Sequence, residues 1–193
     1  MDFKHFTDEQ LAQKAPHDPE AFGELIDRWE KPLLSFIGRL VHVPWAAAEE
    51  VAREVFLKAW RNINSFDADL KWKSWILRIA HNEAKSMWRK HDARGGGQQL
   101  DWDREILEQL PGATSLVDDL DQKITNGEVR NALLLLPHHY KTILVLRFLE
   151  EMSYEEISDT LQMPPSTVGT MIRRAKKAFQ EIISRTSFFT NSQ

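Results

Sequence analysis

Cysteine is absent from the 193 residues. That excludes disulfides, thiol catalysis and cysteine-ligated zinc, and it fits a reducing compartment. Tyrosine occurs only twice, and glycine and proline eight times each. So few turn formers favour helices over turn-rich β structure. No apolar run approaches the roughly 18 residues of a membrane span. The opening MDFKHFTDEQ begins acidic and has no apolar core, so no secretory signal is expected. What remains is ordinary for a folded chain: 42% of residues are hydrophobic and 28% charged, which excludes wholesale disorder. The length suits one domain or two small ones.

The net charge of −4 hides a pattern. Residues 71–94 hold seven basic residues against Glu83 and Asp92, a net of +5. Residues 100–128 hold eight acidic residues against Arg104 and Lys123, a net of −6. Residues 166–185 hold five basic residues against Glu181, a net of +4. Two basic blocks around an acidic one suit two surfaces for a polyanion and a strand that avoids it; surface scatter is the bland alternative.

The chain reads as helical throughout. Thr7-Asp8-Glu9-Gln10 is a capping box for a short first helix. Asp18-Pro19 opens a second through Ala21, Phe22, Leu25, Ile26 and Trp29. Pro32 is expected to open a further helix with Leu33, Phe36, Ile37 and Leu40 on one face, and Pro44 another that runs to about Trp60. A polar loop, 62–69, precedes a helix from Lys73 to His91. Arg94-Gly95-Gly96-Gly97 then breaks the periodicity, and the acidic stretch to about Asn126 reads as a linker. The expected architecture is all-α: a helical domain over 1–94, a flexible acidic linker over 95–127, and a second helical domain over 128–193.

In the second domain Ser153-Tyr154-Glu155-Glu156 is another capping box, followed by a short helix and a break at Gln162-Met163-Pro164-Pro165. The next helix carries Val168, Ile172, Ala175, Phe179 and Ile182 on one stripe and Ser166, Thr170, Arg173, Arg174 and Lys177 on the other face. That is the helix-turn-helix arrangement, whose second helix fits a major groove about 12 Å wide. A bundle hairpin with a solvated basic face has the same spacing.

In the first domain the helix around residues 46–57 buries Ala48, Val51 and Val55 and turns out Glu50, Arg53, Glu54 and Leu57, a solvated face or a docking surface. The helix from Lys73 is expected to bury Ile76, Ile79, Ala80 and Met87 and to show Arg78, His81, Asn82, Lys85 and Arg89. Phe66, Trp72 and Trp75 precede or open it. Cations beside aromatics suit single-stranded nucleic acid, with rings stacking on bases. Trp75 reads as core, whereas Phe66 and Trp72 read equally as core or as stacking platforms.

Three stretches resemble the sigma-70 family of bacterial RNA polymerase sigma factors, in its extracytoplasmic-function (ECF) group. The first is residues 48–60, AEEVAREVFLKAW, similar to A-E-D-x-x-Q-E-x-F-x-x-x-W of region 2.2. The second is residues 75–82, WILRIAHN, similar to W-L-x-x-I-A-x-N. The third runs from Leu136-Pro137 through Tyr140, Arg147 and Ser153–Ile157 to Thr167-Val168 and Arg174-Ala175-Lys176, similar to region 4. The resemblance covers nearly the whole chain and implies a transcription initiation factor. Such a factor joins core RNA polymerase through its β and β′ subunits and directs it to promoter DNA. The first domain would hold and melt the −10 element, the second would bind the −35 element, and the linker would thread the polymerase channel.

The resemblance further implies core docking by Glu50, Arg53, Glu54 and Leu57, −10 binding by Phe66, Trp72, Asn82, Lys85 and Arg89, and −35 binding by Ser166, Thr167, Thr170, Arg173, Arg174 and Lys177. It implies no catalysis, cofactor or metal, and no membrane insertion of the chain itself. It also implies a cytoplasmic monomer when free, held by an anti-sigma protein, membrane-anchored or not. Further C-terminal regulation is not expected. Arg53 stands where the family usually has Gln, and Gly169-Thr170-Met171 replaces its usual basic-Ser-basic run. Two rivals differ in class. A stand-alone helix-turn-helix regulator would bind duplex without polymerase. A small helical enzyme would use acidic pairs such as Glu49-Glu50 or Asp118-Asp119 on a metal, yet adjacent helix side chains diverge and no nucleophile–base group occurs.

Overall fold

A computed structural model describes residues 3–41, 45–92 and 126–190. These fall into two compact units; of the expected linker, 95–127, residues 95–125 lie outside the described residues, whereas Asn126 and Gly127 already belong to the first helix of the second unit. All regular elements among the described residues are helical.

The first unit comprises α1 (Asp8–Lys14), α2 (Pro19–Leu40), α3 (Trp45–Arg61), a 3-10 turn (Ile63–Ser65) and α4 (Trp72–Asp92). The Thr7 capping box is present: the Gln10 amide donates to Thr7 Oγ1 at 3.2 Å, and the Thr7 amide to Gln10 Oε1 at 2.9 Å. Pro32 does not open a new helix; it lies within α2. An internal proline costs about 3 kcal/mol. Just beyond it Leu33, Leu34, Phe36 and Ile37 are all buried, each contributing about 1.5–3 kcal/mol, which keeps the helix continuous. Pro44 is outside the described residues, and α3 is assigned from Trp45.

Leu25, Leu33, Phe36 and Ile37 of α2 meet Val55 and Ala59 of α3 and Ile76, Leu77, Ala80 and Ala84 of α4 in this unit's core. Ile79 and Met87, expected in the core, are only half-buried. The buried row of α4 steps through Trp72, Ile76, Ala80 and Ala84, which leaves Ile79 beside Trp75 and Met87 past the row's end. The segment before α1 is tied to α2 by Arg28. Its guanidinium donates to the carbonyls of Phe3 and Phe6 at 2.9 Å each and to Asp8 at 3.0 Å, while Trp29 Nε1 donates to Asp8 at 2.8 Å.

The second unit comprises α5 (Asn126–Leu135), α6 (His138–Leu144) with a widened π turn (Val145–Leu149), α7 (Tyr154–Leu161) and α8 (Pro165–Thr190). At the π turn the Glu150 amide reaches back five residues to the Val145 carbonyl at 2.9 Å. The Ser153 capping box forms at 3.1 and 2.7 Å. The α7–α8 turn passes through Gln162 at φ 54°, a left-handed C-cap held in place as Ser158 Oγ donates to the Met163 carbonyl. On α8 the buried stripe is Val168, Ile172, Ala175, Phe179 and Ile183. Ile182, expected in that stripe, is half-buried, because a four-residue step from Phe179 is what faces α6.

Candidate nucleic-acid interface

The exposed face of α4 rests on an aromatic cluster. Trp72 and Trp75 lie 5.1 Å apart, and Phe66 meets each edge-on at 5.6 Å. Trp72 is 0% exposed, which corrects its expected role: a ring with no open face cannot stack on a base. Trp75 is core, as read, and Phe66 is half-buried over both. Asn82, Lys85 and Arg89 are all exposed and lie on neighbouring turns of one helix. The acid in their midst, Glu83, is drawn away, because Lys58 of α3 holds it at 2.6 Å. Lys58, Asn62, Ser65, Trp75, Asn82 and Glu83 border a small pocket of about 280 Å³.

The N-terminus of α4 is capped from a distance. Glu9 of α1 accepts the Trp72 amide at 3.1 Å, across 63 positions. Burial alone would raise the Glu9 carboxyl, but the amides of Glu9 and Trp72, the Thr7 hydroxyl and the Lys71 charge together hold it below its ordinary value. These bonds place α1 against α4. Neither Glu9 nor the Lys58–Glu83 pair has a local sequence signal, since each partner lies on another element.

Between α2 and α3 runs an apolar groove of about 690 Å³, floored by Phe22, Ile26, Leu34 and Phe56. Leu57 is 49% exposed on its rim, and the Trp60 ring packs at a tilt against Phe22, 5.0 Å between centroids. Of the four expected docking residues, Arg53 and Leu57 line the groove. Glu50 and Glu54 are not among its lining residues: Glu50 is exposed, and Glu54 faces Lys58 at 3.8 Å. Arg53 pairs with Glu49 at 3.6 Å, and Glu49 also accepts the Trp45 indole at 2.6 Å.

On α8, Ser166, Thr167, Arg173, Arg174 and Lys177 are exposed. Thr170 is half-buried, and its hydroxyl donates to the Ser166 carbonyl at 3.1 Å, which leaves its oxygen as an acceptor only. Gly169 has a reason to be small: a Cβ there would meet the Tyr154 ring at 3.3 Å. Arg147 lies over that ring at 5.5 Å and donates to the Met152 carbonyl at 2.7 Å, tying α6 to the turn before α7. Among the described residues no helix is long and apolar enough to cross a membrane, and no three His, Asp or Glu side chains group as metal ligands.

A helix-turn-helix unit with an outward basic face, in one chain with a second helical unit carrying another, defines a DNA-binding transcription protein. Residues 25–94 match the family described as Sigma-70 region 2, and residues 126–179 match Sigma-70, region 4. The chain is 30% identical over 188 residues to the ECF RNA polymerase sigma factor SigW of Bacillus subtilis, covering 89% of this chain and 94% of that one. It is 31% identical to the RNA polymerase sigma-H factor of Pseudomonas aeruginosa, covering 91% and 93%. Its fold is similar to CnrH, solved in complex with the cytosolic domain of CnrY, with a TM-score of 0.67 and 22% identity over 92% of this chain and 97% of that one. It is also similar to the sigma factor RpoE of Bartonella quintana, solved with the anti-sigma factor NepR, with a TM-score of 0.60 and 18% identity over 84% and 96%. The chain belongs to the sigma-70 family, as an ECF RNA polymerase sigma factor. It is a transcription initiation factor that directs the polymerase to promoters.

Proposed function

We propose that three faces divide the work of initiation. The α2–α3 groove with Arg53 and Leu57, together with Glu50 and Glu54 outside it, docks core RNA polymerase. The exposed row Asn82, Lys85 and Arg89, beside Phe66, takes the −10 strand as it opens. Ser166, Thr167, Thr170, Arg173, Arg174 and Lys177 take the −35 duplex. Residues 1–94 form the first domain, 95–127 the acidic linker and 128–193 the second domain. An anti-sigma protein, of the kind bound to the similar RpoE, holds the factor until it is needed, and the factor works in the cytoplasm as a non-catalytic subunit.

The observation that supports this reading best is the pairing of two basic helix faces with different footings. On α4 the face adjoins an aromatic cluster and a polar pocket, which suits unpaired bases. On α8 it follows a capped helix and a tight turn, which suits a major groove. The test is transcription in vitro with purified core enzyme and a promoter library. Lys85→Ala with Arg89→Ala should abolish most permanganate reactivity of the melted strand while sparing −35 duplex binding. Glu50→Lys with Glu54→Lys should weaken core association. Unchanged footprints and co-purification would overturn both assignments.

A further inference from the structure

The helix α8 changes character along its length. From Pro165 to Ile172 it carries no charge of either sign, and its first cation is Arg173. The region 4 pattern that this stretch resembles has a basic-Ser-basic run where Gly169-Thr170-Met171 stands. A ring from another helix takes the place of the first missing cation. Tyr154, the first residue of α7, lies against Gly169: a Cβ at 169 would come within 3.3 Å of Tyr154 Cε2 and 3.9 Å of its Cδ2. Glycine weakens a helix interior relative to alanine, and what it provides here is room for that ring. The tyrosine is 40% exposed, with the Arg147 guanidinium 5.5 Å from the ring centroid. Gly169 lies three residues after Ser166 and four before Arg173, so the ring edge reaches the outward row of α8 between two exposed residues. The first turns of a recognition helix meet base edges. Guanine draws a cationic fork there, whereas the C5 methyl of thymine is met by apolar groups. An uncharged turn with an aromatic edge, its Thr170 hydroxyl hydrogen already given to the Ser166 carbonyl, matches the methyl and offers guanine no cation.

We propose that Tyr154 and Gly169 act as a pair that reads the C5 methyl of one thymine in the −35 duplex. The ring edge of Tyr154 touches the methyl, and Gly169 is the positioning residue, whose missing side chain lets the ring lie over the first turns of α8. The proposal rests on the reading of α8 as the −35 interface and gives its uncharged half a base to recognise.

The test uses holoenzyme on the −35 sequence that the promoter library selects, with each thymine replaced in turn by deoxyuridine, which removes the methyl alone. In the wild type one replacement should weaken binding about 4-fold, the worth of one buried methyl. Tyr154→Phe keeps the ring and should keep that loss, whereas Tyr154→Ala should abolish it. Gly169→Lys pushes the ring aside and restores a cation. It should lose the methyl dependence, favour guanine at that position and steepen the salt dependence by about one unit. Its melting temperature should not fall, because lysine is the better helix former. If no thymine is sensitive in the wild type while Arg174→Ala is still impaired, the methyl proposal alone is sunk. If Arg174→Ala and Lys177→Ala also bind normally, the reading of α8 fails with it. A sensitive position that survives in both Tyr154→Ala and Gly169→Lys belongs to another residue and overturns the pair. Equal weakening of every duplex in Tyr154→Phe and Tyr154→Ala would make the phenol a phosphate contact and overturn the proposal.

Discussion

The two basic helices carry similar charge on different supports. α8 lays an aliphatic stripe, with one phenylalanine, against α6 and α7, and its arginines stand clear of it. α4 is propped by a cluster of three aromatic rings and capped by a carboxylate from α1, and its Glu83 is held by a lysine from α3. The first design suits a rigid rod presented to a preformed groove. The second suits a surface that must stay in shape while a duplex is pulled apart on it. Charge alone does not separate these tasks. What separates them is the material behind the charge, and each contrast can be broken by substitution.

The sharpest break is between two tryptophans of α4. Trp72→Ala should destabilise the first unit by about 3–5 kcal/mol, since it empties a fully buried site. Trp88→Ala should cost clearly less, since its ring is 43% exposed. Urea unfolding followed by helical circular dichroism measures both. Similar losses in the two variants would mean that Trp88 is structural.

On α8 the next effect concerns reading rather than folding. Arg173 and Arg174 are both exposed, and Arg174 falls in the stretch that resembles region 4. Arg174→Ala should cost about 1–3 kcal/mol and relax preference at one −35 position. Lys177→Ala should weaken all sequences alike. A panel of single-base −35 variants separates these outcomes. Uniform losses in both arginine variants would reduce them to phosphate contacts and leave Thr170, with only an acceptor to offer.

The cap on α4 gives a smaller effect with a pH signature. Glu9→Ala should cost about 0.5–2 kcal/mol, as for other lost helix caps. The Glu9 carboxyl lies below its ordinary value of 4.5 in the folded chain. Its contribution is therefore fully present above that value and is lost as pH falls through the lowered one. Glu9→Gln keeps an acceptor but no charge, so the gap between wild type and Glu9→Gln should narrow as pH drops below 4.5. A gap independent of pH between 3 and 7 would remove the electrostatic part of this account.

Much of this was legible in the sequence wherever the signal is local. Both capping boxes, the turn before Pro165 and the outward set on α8 follow from spacing within one or two helical turns. What was not legible depends on contacts between elements. Pro32 looked like a start because a proline's local cost is visible, whereas the buried row that overrides it is set by α3 and α4. Trp72 and Trp88 both flank basic residues in the sequence; only the packing of Phe66 and Trp75 buries one of them. Arg28 gives no hint that it holds the carbonyls of Phe3 and Phe6, because backbone acceptors have no sequence identity.

The weakest expected effect tests the charge of the docking face. Arg53 departs from the region 2.2 pattern that its stretch resembles, and it lines the groove against Glu49 at 3.6 Å. Such an exposed pair contributes about 0.2–1 kcal/mol at most, and Glu49 keeps its bond from the Trp45 indole when the arginine is gone. Arg53→Gln should therefore leave stability within about 0.5 kcal/mol. It should also make the rim more acidic, because Glu30 and Glu49 remain. If Glu50 and Glu54 dock against a basic polymerase surface, removing the nearby cation should speed association with core enzyme a few-fold at low salt. That gain should fade as ionic strength shortens the Debye length to about 8 Å. Stopped-flow association across a salt series reads the sign directly. A slower on-rate would mean that Arg53 itself meets an acidic group on the polymerase, and the docking face would then be read as a mixed-charge surface rather than an acidic one.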